Sequence, residues 1–425
     1  MLRFAPSPTD DIYIDDLRVA IFNYIVARQK KRQFIVRIDD IDKQKNIEGK
    51  DTEILQILEK FAISHERVFH QSENFHIHQT LAVKLLEQKK AFICTCTPEQ
   101  IKADRESKES QTTDYSCSGR CLSMTQDELN RVKEEKIPFV IRIKKPTTPI
   151  KYSDLIRGEI ETTPDEIDSF IILQADSTPT HNFASACDDI FTDIDFIIHS
   201  EENSSDTPKQ IYIKKLLGYD RDTTYAHLPT ILDNNISVRW LFSEGFIPDA
   251  IINYLVQLDN RVPKEIFNLP QAVEWFEIAK ISKESIKFDI DRLRYINREH
   301  LKLIDDKELS SIFGFADREI GKLAKLYLEE FSTINELDTK IKSIFSNKNF
   351  SGNWGEEMRV LEKIISDMKP IDEFDQFKHY LMNKSGFEDE KLSKPLYRLL
   401  TGMESGPELS QIYPHIKSYI LEVAS

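Results

Sequence analysis

The chain has 425 residues and a formal net charge of −15. Because a single hydrophobic core seldom supports so long a chain, the length predicts about three domains. The acidic balance argues against indiscriminate binding to nucleic acid but permits a local basic groove. No apolar run reaches the length that spans a membrane, and the N-terminus lacks the pattern of a signal peptide, so we expect a cytoplasmic protein with no membrane partner.

The first eighteen residues predict a strand, a stiff turn and a helix. Residues 2–5 form a short apolar run, two prolines restrict the turn, and apolar residues recur at helical spacing from Leu17 onward. A helix that begins just after a buried strand points its N-terminus at a ligand crevice. Asp15 and Asp16 at this helix start either cap the helix or face the crevice, where they would repel an anion.

The next elements predict a parallel α/β core that is interrupted and then resumed. An apolar strand at 33–38 is followed by helices at about 51–62 and 75–90, and a further strand at 195–199 precedes a helix at 207–217. Between them, short strands and polar helices at about 92–175 indicate an inserted α+β domain. From about 222 onward the amphipathic spacing predicts an almost entirely helical region.

Four cysteines in the predicted insertion have the spacing of a metal site. Cys94 and Cys96 form Cys-X-Cys, and Cys117 and Cys121 form Cys-X3-Cys, which together predict a structural zinc ion held by four thiolates. The alternative is two pairs of unliganded thiols, since Cys-X-Cys with a long intervening segment is only moderately specific. Disulfides are disfavoured in a cytosolic protein. Cys187 is predicted to lie in an apolar strand of the core.

Ordered sequence blocks along essentially the whole chain resemble the class I glutamyl-tRNA synthetase family. They are RFAPSPT at 3–9, RIDDID at 37–42, QSENF at 71–75, NFASACDD at 182–189, TPKQ at 207–210, YAHLPTIL at 225–232 and PLYRLLTGMESGPEL at 395–409.

This resemblance implies a division of the chain into domains. It implies a Rossmann-type parallel sheet in two halves, an inserted acceptor-stem domain and an all-α anticodon-binding region. The implied boundaries are 1–91 and 186–232 for the Rossmann core, 92–185 for the insertion, 233–305 for a helical stem-contact region and 306–425 for the anticodon-binding domain.

The resemblance also implies an amino-acid pocket. It places Arg3, Ala5 and Ser7 at the glutamate site, Asp39 where a family Glu holds the substrate ammonium, His181 at a substrate-contacting Tyr, and His199 at the Arg that pairs with the substrate carboxylate. An imidazole that is mostly neutral near pH 7 cannot replace the two-pronged, charge-assisted contact of a guanidinium. We therefore expect recognition of glutamate to be weakened.

The ATP-binding motifs of the family are altered or absent. Asp10, Tyr13 and Asp15 stand where the family has a glycine, the His and the final Gly of its His-Ile-Gly motif. The Lys-Met-Ser-Lys-Arg loop is missing, because only DNNI, which contains no lysine or arginine, lies between Leu232 and SVRWLF. Each lost electrostatic contact of this kind typically costs about two to three orders of magnitude in rate. ATP and magnesium are expected as cofactors only if activity remains.

Three functions are compatible with this pattern. The first is a glutamyl-tRNA synthetase homologue, predicted to be a monomer, that keeps the fold and binds a glutamate or glutamine acceptor tRNA but aminoacylates it poorly or not at all. The second is an active glutamate–tRNA ligase with a compensated ATP site. The third is a non-catalytic tRNA-binding or regulatory protein. Lys144, Lys145, Arg157 and Lys209 are candidates for a local RNA-contacting surface.

Overall fold

The computed structural model describes residues 1–106, 119–233, 235–258 and 260–425. They form two compact units. The first contains residues 1–239 and 255–288, and the second contains residues 240–254 and 289–425. Within the described residues, no helix has both the length and the apolar composition needed to cross a membrane.

The strands belong to the first unit. They are β1 (Leu2–Phe4), β2 (Phe34–Ile38), β3 (Arg67–His70), β4 (Ala91–Cys94), β5 (Val140–Ile143), β6 (Ile150–Asp154), β7 (Gly158–Thr162), β8 (Ile171–Leu173), β9 (Phe196–Ser200), β10 (Thr224–Leu228), β11 (Ile231–Leu232) and β12 (Ile286–Lys287). The first and second strands are buried along their whole length, as expected for apolar strands of a parallel sheet that is covered on both faces.

Parallel pairing organises the core of the first unit. The order β1-β2-β3 is parallel throughout, with Leu2 opposite Phe34 and Ile35 opposite Arg67. The strands β9, β10 and β6 are also parallel, and β7 pairs antiparallel with β6. A hydrogen bond from Asp195 N to Met1 O, 3.4 Å long, joins the segment before β9 to the start of β1. A separate antiparallel sheet, β4-β5-β8, forms the insertion.

Ten α-helices of the described residues lie wholly or partly in the first unit. They are α1 (Ile14–Gln29), α2 (Lys50–Lys60), α3 (Phe75–Glu87), α4 (Pro98–Glu106), α5 (Gln126–Glu134), α6 (His181–Phe191), α7 (Thr207–Leu216), α8 (Val238–Ser243), α9 (Pro248–Gln257) and α10 (Leu269–Trp275). Two of the divisions between the units fall within α8 and α9.

The second unit is helical in its described residues. After the shared α8 and α9, it contains α11 (Ile290–Leu303), α12 (Asp306–Ile312), α13 (Glu319–Leu326), α14 (Ile334–Phe345), α15 (Gly355–Ser366), α16 (Phe374–Ser385), α17 (Asp389–Thr401), α18 (Leu409–Ile416) and α19 (Ile420–Val423). Apolar faces of these helices form one core. Gly321 is required where α13 crosses α12, because an added Cβ would lie 1.8 Å from the carbonyl oxygen of Asp306.

The predicted fold class is confirmed, and two local predictions are wrong. The structure is an α/β protein with a parallel sheet, an antiparallel insertion and a helical C-terminal region. Cys187 is buried as expected, but it lies in helix α6 and not in a strand. The region after 222 also contains the parallel strand β10, which the helical prediction missed. The five domain boundaries implied by the resemblance stay a prediction.

Candidate active site

A crevice opens at the carboxyl ends of the parallel strands β1, β2 and β9. A cavity of about 310 Å³ is lined there by five residues of the predicted glutamate pocket, namely Arg3, Ala5, Ser7, His181 and His199. The sixth, Asp39, lines an adjoining cavity of about 630 Å³ that also includes Ser7 and His181. Open α/β sheets bind their ligands at this edge. The structure brings all six residues together, while their roles stay a prediction.

Arg3 is held inside the protein by a carboxylate. It is 2% exposed, and its Nε donates to Asp189 Oδ1 over 2.8 Å while Nη2 donates to Oδ2 over 3.4 Å. Asp189 also accepts from Arg37 Nη1 at 3.0 Å and from Lys214 Nζ at 3.1 Å. Burial alone would raise the pKa of Asp189, but the three cations lower it far below its usual value. The floor of the crevice is therefore a buried ion network around one carboxylate.

Asp39 is already paired within the protein. Arg37 Nε donates to its Oδ1 over 2.6 Å, and Arg37 Nη2 donates to its Oδ2 over 3.1 Å. This two-pronged contact uses both carboxylate oxygens, although each oxygen can accept a further hydrogen bond. His181 lies nearby, with Nδ1 3.8 Å from Asp39 Oδ2. An ammonium group at this site must share Asp39 with Arg37.

The environment of His199 disfavours its protonated form. Burial lowers its pKa well below the usual value for histidine, and the charges of Arg3 and His227 lower it further. The neutral ring therefore supplies no charge that would pair with a carboxylate. The role of this position in binding a substrate carboxylate stays a prediction.

Carboxylates surround the mouth of the crevice. Asp10, Asp11 and Asp16 line the same cavity as Tyr13, whose hydroxyl lies 3.5 Å from both Asp10 carboxylate oxygens. Although residue Asp16 remains exposed at the surface, desolvation of its carboxylate raises its pKa to about 6, and Asp15, Glu202 and Asp10 add to the effect. The charge of Asp10 is likewise the main cause of a raised pKa at Tyr13. The mouth therefore favours neutral or cationic groups over anions.

The two aspartates at the helix start differ in what they contact. Asp16 Oδ2 accepts a hydrogen bond from Tyr13 N over 3.1 Å, so the capping interpretation holds for this residue. Asp15 Oδ1 accepts from Ile231 N at 3.3 Å. Asp15 is not among the residues that line the described cavity, whereas Asp16 is.

The segment that follows β11 takes a short path along the turn before α1, at the point where the resemblance implies a missing lysine loop. After β11, residues 236–238 run directly along the turn before α1, with Ile14 N donating to Ile236 O over 3.1 Å and Val238 N donating to Ile12 O over 2.8 Å. An antiparallel bridge between Tyr13 and Ser237 also joins this segment to the turn before α1. Asn234 lies outside the described residues.

Two cations that sequence reasoning missed lie beside the mouth. The buried Lys50 places Nζ 2.5 Å from Asp11 Oδ1 and 3.0 Å from Glu53 Oε2. Arg239, which is 61% exposed, donates from Nη2 to Glu53 over 2.6 Å and lies 3.7 Å from Asp11. The sequence carried little indication that Lys50 and Arg239 approach Asp11, because these residues are far apart along the chain. The pair partly neutralises Asp11.

Three of the four predicted zinc ligands come together. The Sγ atoms of Cys94, Cys96 and Cys121 all lie within 4.8 Å of one another, and the Cys96 and Cys121 atoms are 3.5 Å apart. Thiolates around one tetrahedral zinc are separated by about 3.8 Å, given Zn–S bonds of about 2.3 Å. These residues therefore fit a structural zinc ion. Cys117, the fourth predicted ligand, lies outside the described residues.

Zinc is expected to be bound in protein purified without chelator, at about one ion per chain. Replacing Cys121 by serine is expected to remove it and to leave the second unit folded, because all three clustered thiols belong to the first unit. Elemental analysis measures the metal, and circular dichroism monitors folding. The buried Cys187→Ser variant is the matched control. Metal-free, fully folded wild-type protein would contradict the assignment.

Two of the four candidate RNA-contacting residues share a cavity. Arg157 and Lys209 line a space of about 510 Å³ together with Glu166 and Glu201. Lys145 instead pairs with Asp165 at 2.8 Å on the surface. Cationic and acidic side chains balance in this cavity, so it is not a strongly basic surface.

Comparisons with known proteins agree on one family. The family described as "tRNA synthetases class I (E and Q), catalytic domain" matches residues 1–295. A Sulfurovum protein named glutamate–tRNA ligase 2 is 60% identical over 435 residues, and a Nitratiruptor protein named glutamate–tRNA ligase 1 is 49% identical over 433 residues. Both alignments cover all of this chain and all of the relative.

A solved structure agrees with the fold. The crystal structure of a glutamate tRNA ligase from Elizabethkingia meningosepticum, in complex with its amino acid, superposes with a TM-score of 0.82. The match covers 99% of this chain and 97% of the other, at 23% sequence identity. At this identity the likeness concerns the fold alone.

Proposed function

The chain belongs to the class I tRNA synthetase family for glutamate and glutamine, and from this premise we propose that it is a glutamate–tRNA ligase homologue whose activation of glutamate by ATP is impaired. In the family, the carboxyl end of the sheet holds glutamate and ATP. In this chain, a crevice opens at that end of the sheet, and Asp10, Asp11 and Asp16 line its mouth.

The acidic mouth carries this assignment. By resemblance, the ATP phosphates approach the turn that contains Asp10 and Tyr13, and in this chain Asp10, Asp11 and Asp16 line the cavity at that point. Arg3 is the cation among the lining residues, and it is already bound by Asp189. A polyphosphate would therefore approach three carboxylates without an uncommitted cation from the lining, and the interaction is repulsive.

The predicted glutamate pocket also supports impaired activation of glutamate. A substrate carboxylate would meet the neutral ring of His199, and the substrate ammonium would compete with Arg37 for Asp39. Both changes weaken contacts that orient glutamate for attack on ATP. Because positioning contributes several kcal/mol to such reactions, weaker positioning lowers the rate as well as the affinity.

An active ligase is the second candidate, and two observations favour it. The relatives at 60% and 49% identity are named glutamate–tRNA ligases over their full length. Lys50 and Arg239 also lie at the mouth, where they reduce the charge of Asp11. Activity by this route requires one of them to leave its carboxylate partners and contact a phosphate.

Binding of tRNA is proposed to survive in either case. The relatives align with the whole chain, including its helical unit, and Arg157 and Lys209 offer cationic contacts near the insertion. We expect the tRNA to be a glutamate or glutamine acceptor. Affinity measured by filter binding is expected to fall as salt is added, because phosphate contacts release counterions.

Charging of total tRNA with labelled glutamate, in the presence of ATP and magnesium, tests the proposal. We expect a rate at least about 1,000-fold below that of a synthetase with intact His-Ile-Gly and Lys-Met-Ser-Lys-Arg motifs assayed in parallel, since several electrostatic contacts are missing. An Asp39→Ala variant controls for contaminating synthetase. Charging at a rate close to that of the intact synthetase, if it disappears in the variant, would establish an active ligase.

A further inference from the structure

A second cavity of the first unit lies at the opposite end of the sheet from the crevice. It measures about 590 Å³ and is bounded by β6, by the start of β10, by the end of α7 and by residues 219–223. We call it the basic cavity, and the side chains that matter most for its chemistry are Lys151, Lys214, Lys215, Tyr219, Arg221 and Tyr225. Because Tyr225 is opposite Asp154 in the parallel register and β10 begins at Thr224, residues 151 and 152 extend beyond the amino end of β10.

The charge of this cavity is opposite to that of the crevice. Four cationic side chains line it against two carboxylates, Asp220 and Asp222. The crevice cavity has one arginine against three aspartates, and the adjoining cavity has one lysine against three aspartates. In a chain with a net charge of −15, a cation-rich concave surface concentrates field lines and attracts anions.

The cations of the basic cavity differ in how strongly they pair with carboxylates of the protein. Lys151 pairs with Glu161 at 2.9 Å, but both side chains are at least half exposed, and Arg221 pairs with the half-exposed Asp193. Exposed pairs of this kind contribute little and exchange partners readily. Lys215 is exposed and has no ion-pair partner among the residues that the structure describes. Lys214 is different, because its Nζ is buried against Asp189.

We propose that the basic cavity binds a small phosphate-bearing ligand of the size of a nucleoside monophosphate. Lys215, Arg221 and Lys151 supply the positive charge, and hydroxyl groups of Thr223 and Ser153 line the same space. The partly exposed aromatic ring of Tyr219 provides surface against which a base packs. The volume falls within the range of about 300–1,000 Å³ that is typical of small-molecule sites.

The site is separate from the crevice of the proposed function. Ligands of open α/β sheets ordinarily lie at the carboxyl ends of the strands, and the crevice occupies that end. The basic cavity lies along β6 and at the amino end of β10, and it shares none of the crevice residues. Its occupancy is therefore testable whether or not the chain activates glutamate.

Equilibrium dialysis with labelled AMP, at fixed low ionic strength, tests the site, with adenosine and inorganic phosphate as competitors. We expect AMP to bind, inorganic phosphate to displace it and adenosine not to compete. A Lys215→Gln/Arg221→Gln variant is expected to weaken AMP binding at least about tenfold, since it removes two charge-assisted contacts. Lys214 is left intact because the buried Asp189 depends on it.

A Lys45→Gln variant is the matched control, because Lys45 lines the cavity beside Asp39 and pairs with the exposed Asp42, its one ion-pair partner among the described residues. We expect it to bind AMP as the wild type does. Absence of AMP binding, equal competition by adenosine, or loss of binding in Lys45→Gln but not in the double variant would each overturn the assignment. Circular dichroism of the variants establishes that each is folded.

Discussion

Replacing Asp189 by asparagine is expected to lower the unfolding free energy of the first unit by about 3–5 kcal/mol. Asp189 is fully buried and accepts hydrogen bonds from Arg3, Arg37 and Lys214. Asparagine has nearly the same shape, but it removes the negative charge and turns one acceptor into a donor that faces cations. Arg37 would keep its carboxylate partner Asp39, whereas Arg3 and Lys214 would lose the carboxylate to which they donate.

Hydrogen exchange of first-unit amides measures this loss separately from the helical unit. Asp193→Asn is the control, because Asp193 is half exposed and its pair with Arg221 is expected to contribute less than about 1 kcal/mol. Combining Asp189→Asn with Arg3→Met removes one charge of each sign. The double variant should therefore lose less than the sum of the single variants. A loss no greater than that of the control would show that the network does not stabilise the fold.

The spacing of apolar residues predicted helices and strands well where an element buries one or both of its faces. The strands at 33–38 and 195–199 and the helices at 51–62, 75–90 and 207–217 were each placed within about three residues of their observed ends. Strand β10 was missed because its residues, TYAHL, include histidine and alanine and are short for a strand signal. Its burial comes from the two parallel neighbours that only the folded chain supplies.

Helix α6 shows a different limit of sequence reasoning. Its residues HNFASACDDIF combine small and acidic side chains, and the apolar ones alone suggested a strand around Cys187. Asp188 and Asp189 are buried, however, and each meets partners from distant segments. Asp188 accepts from Gln71 and Asn74 and lies 2.9 Å from His78 Nε2. Adjacent carboxylates in an otherwise apolar helix were the available signal for this burial.

Sequence reasoning named the crevice residues but not their mutual contacts. The resemblance placed Arg3, Asp39 and His199 at one site, and the structure brings them to one end of the sheet. It gave no indication that Asp189 holds Arg3 or that Lys50 reaches Asp11, because those pairs are separated by 186 and 39 positions. Long-range charge pairing depends on packing, which local patterns do not encode. The roles of these residues in binding glutamate therefore remain to be measured.

Replacing Lys340 by methionine is expected to stabilise the second unit by about 2 kcal/mol at pH 7. Lys340 is 3% exposed, contacts Met403 Sδ and lies 4.5 Å above the ring of Tyr327. Burial lowers its pKa to about 8, an effect only partly opposed by the charge of Glu330. A shift from 10.5 to about 8 corresponds to roughly 3 kcal/mol, and loss of the cation–π contact offsets part of the gain.

The stabilisation of the second unit by Lys340→Met should decrease as the pH rises. Below about pH 8 the lysine is charged in both the folded and the unfolded state, so the folded wild type bears the full desolvation cost. Between about pH 8 and 10.5 the unfolded chain binds more protons than the folded one, so wild-type stability rises with pH relative to the variant. Hydrogen exchange of second-unit amides would measure the difference in unfolding free energy between the variant and the wild type. Lys342→Met, on the exposed face of α14, is the control. A free-energy difference between the variant and the wild type that stays constant or grows as the pH rises would exclude a desolvated ammonium at Lys340.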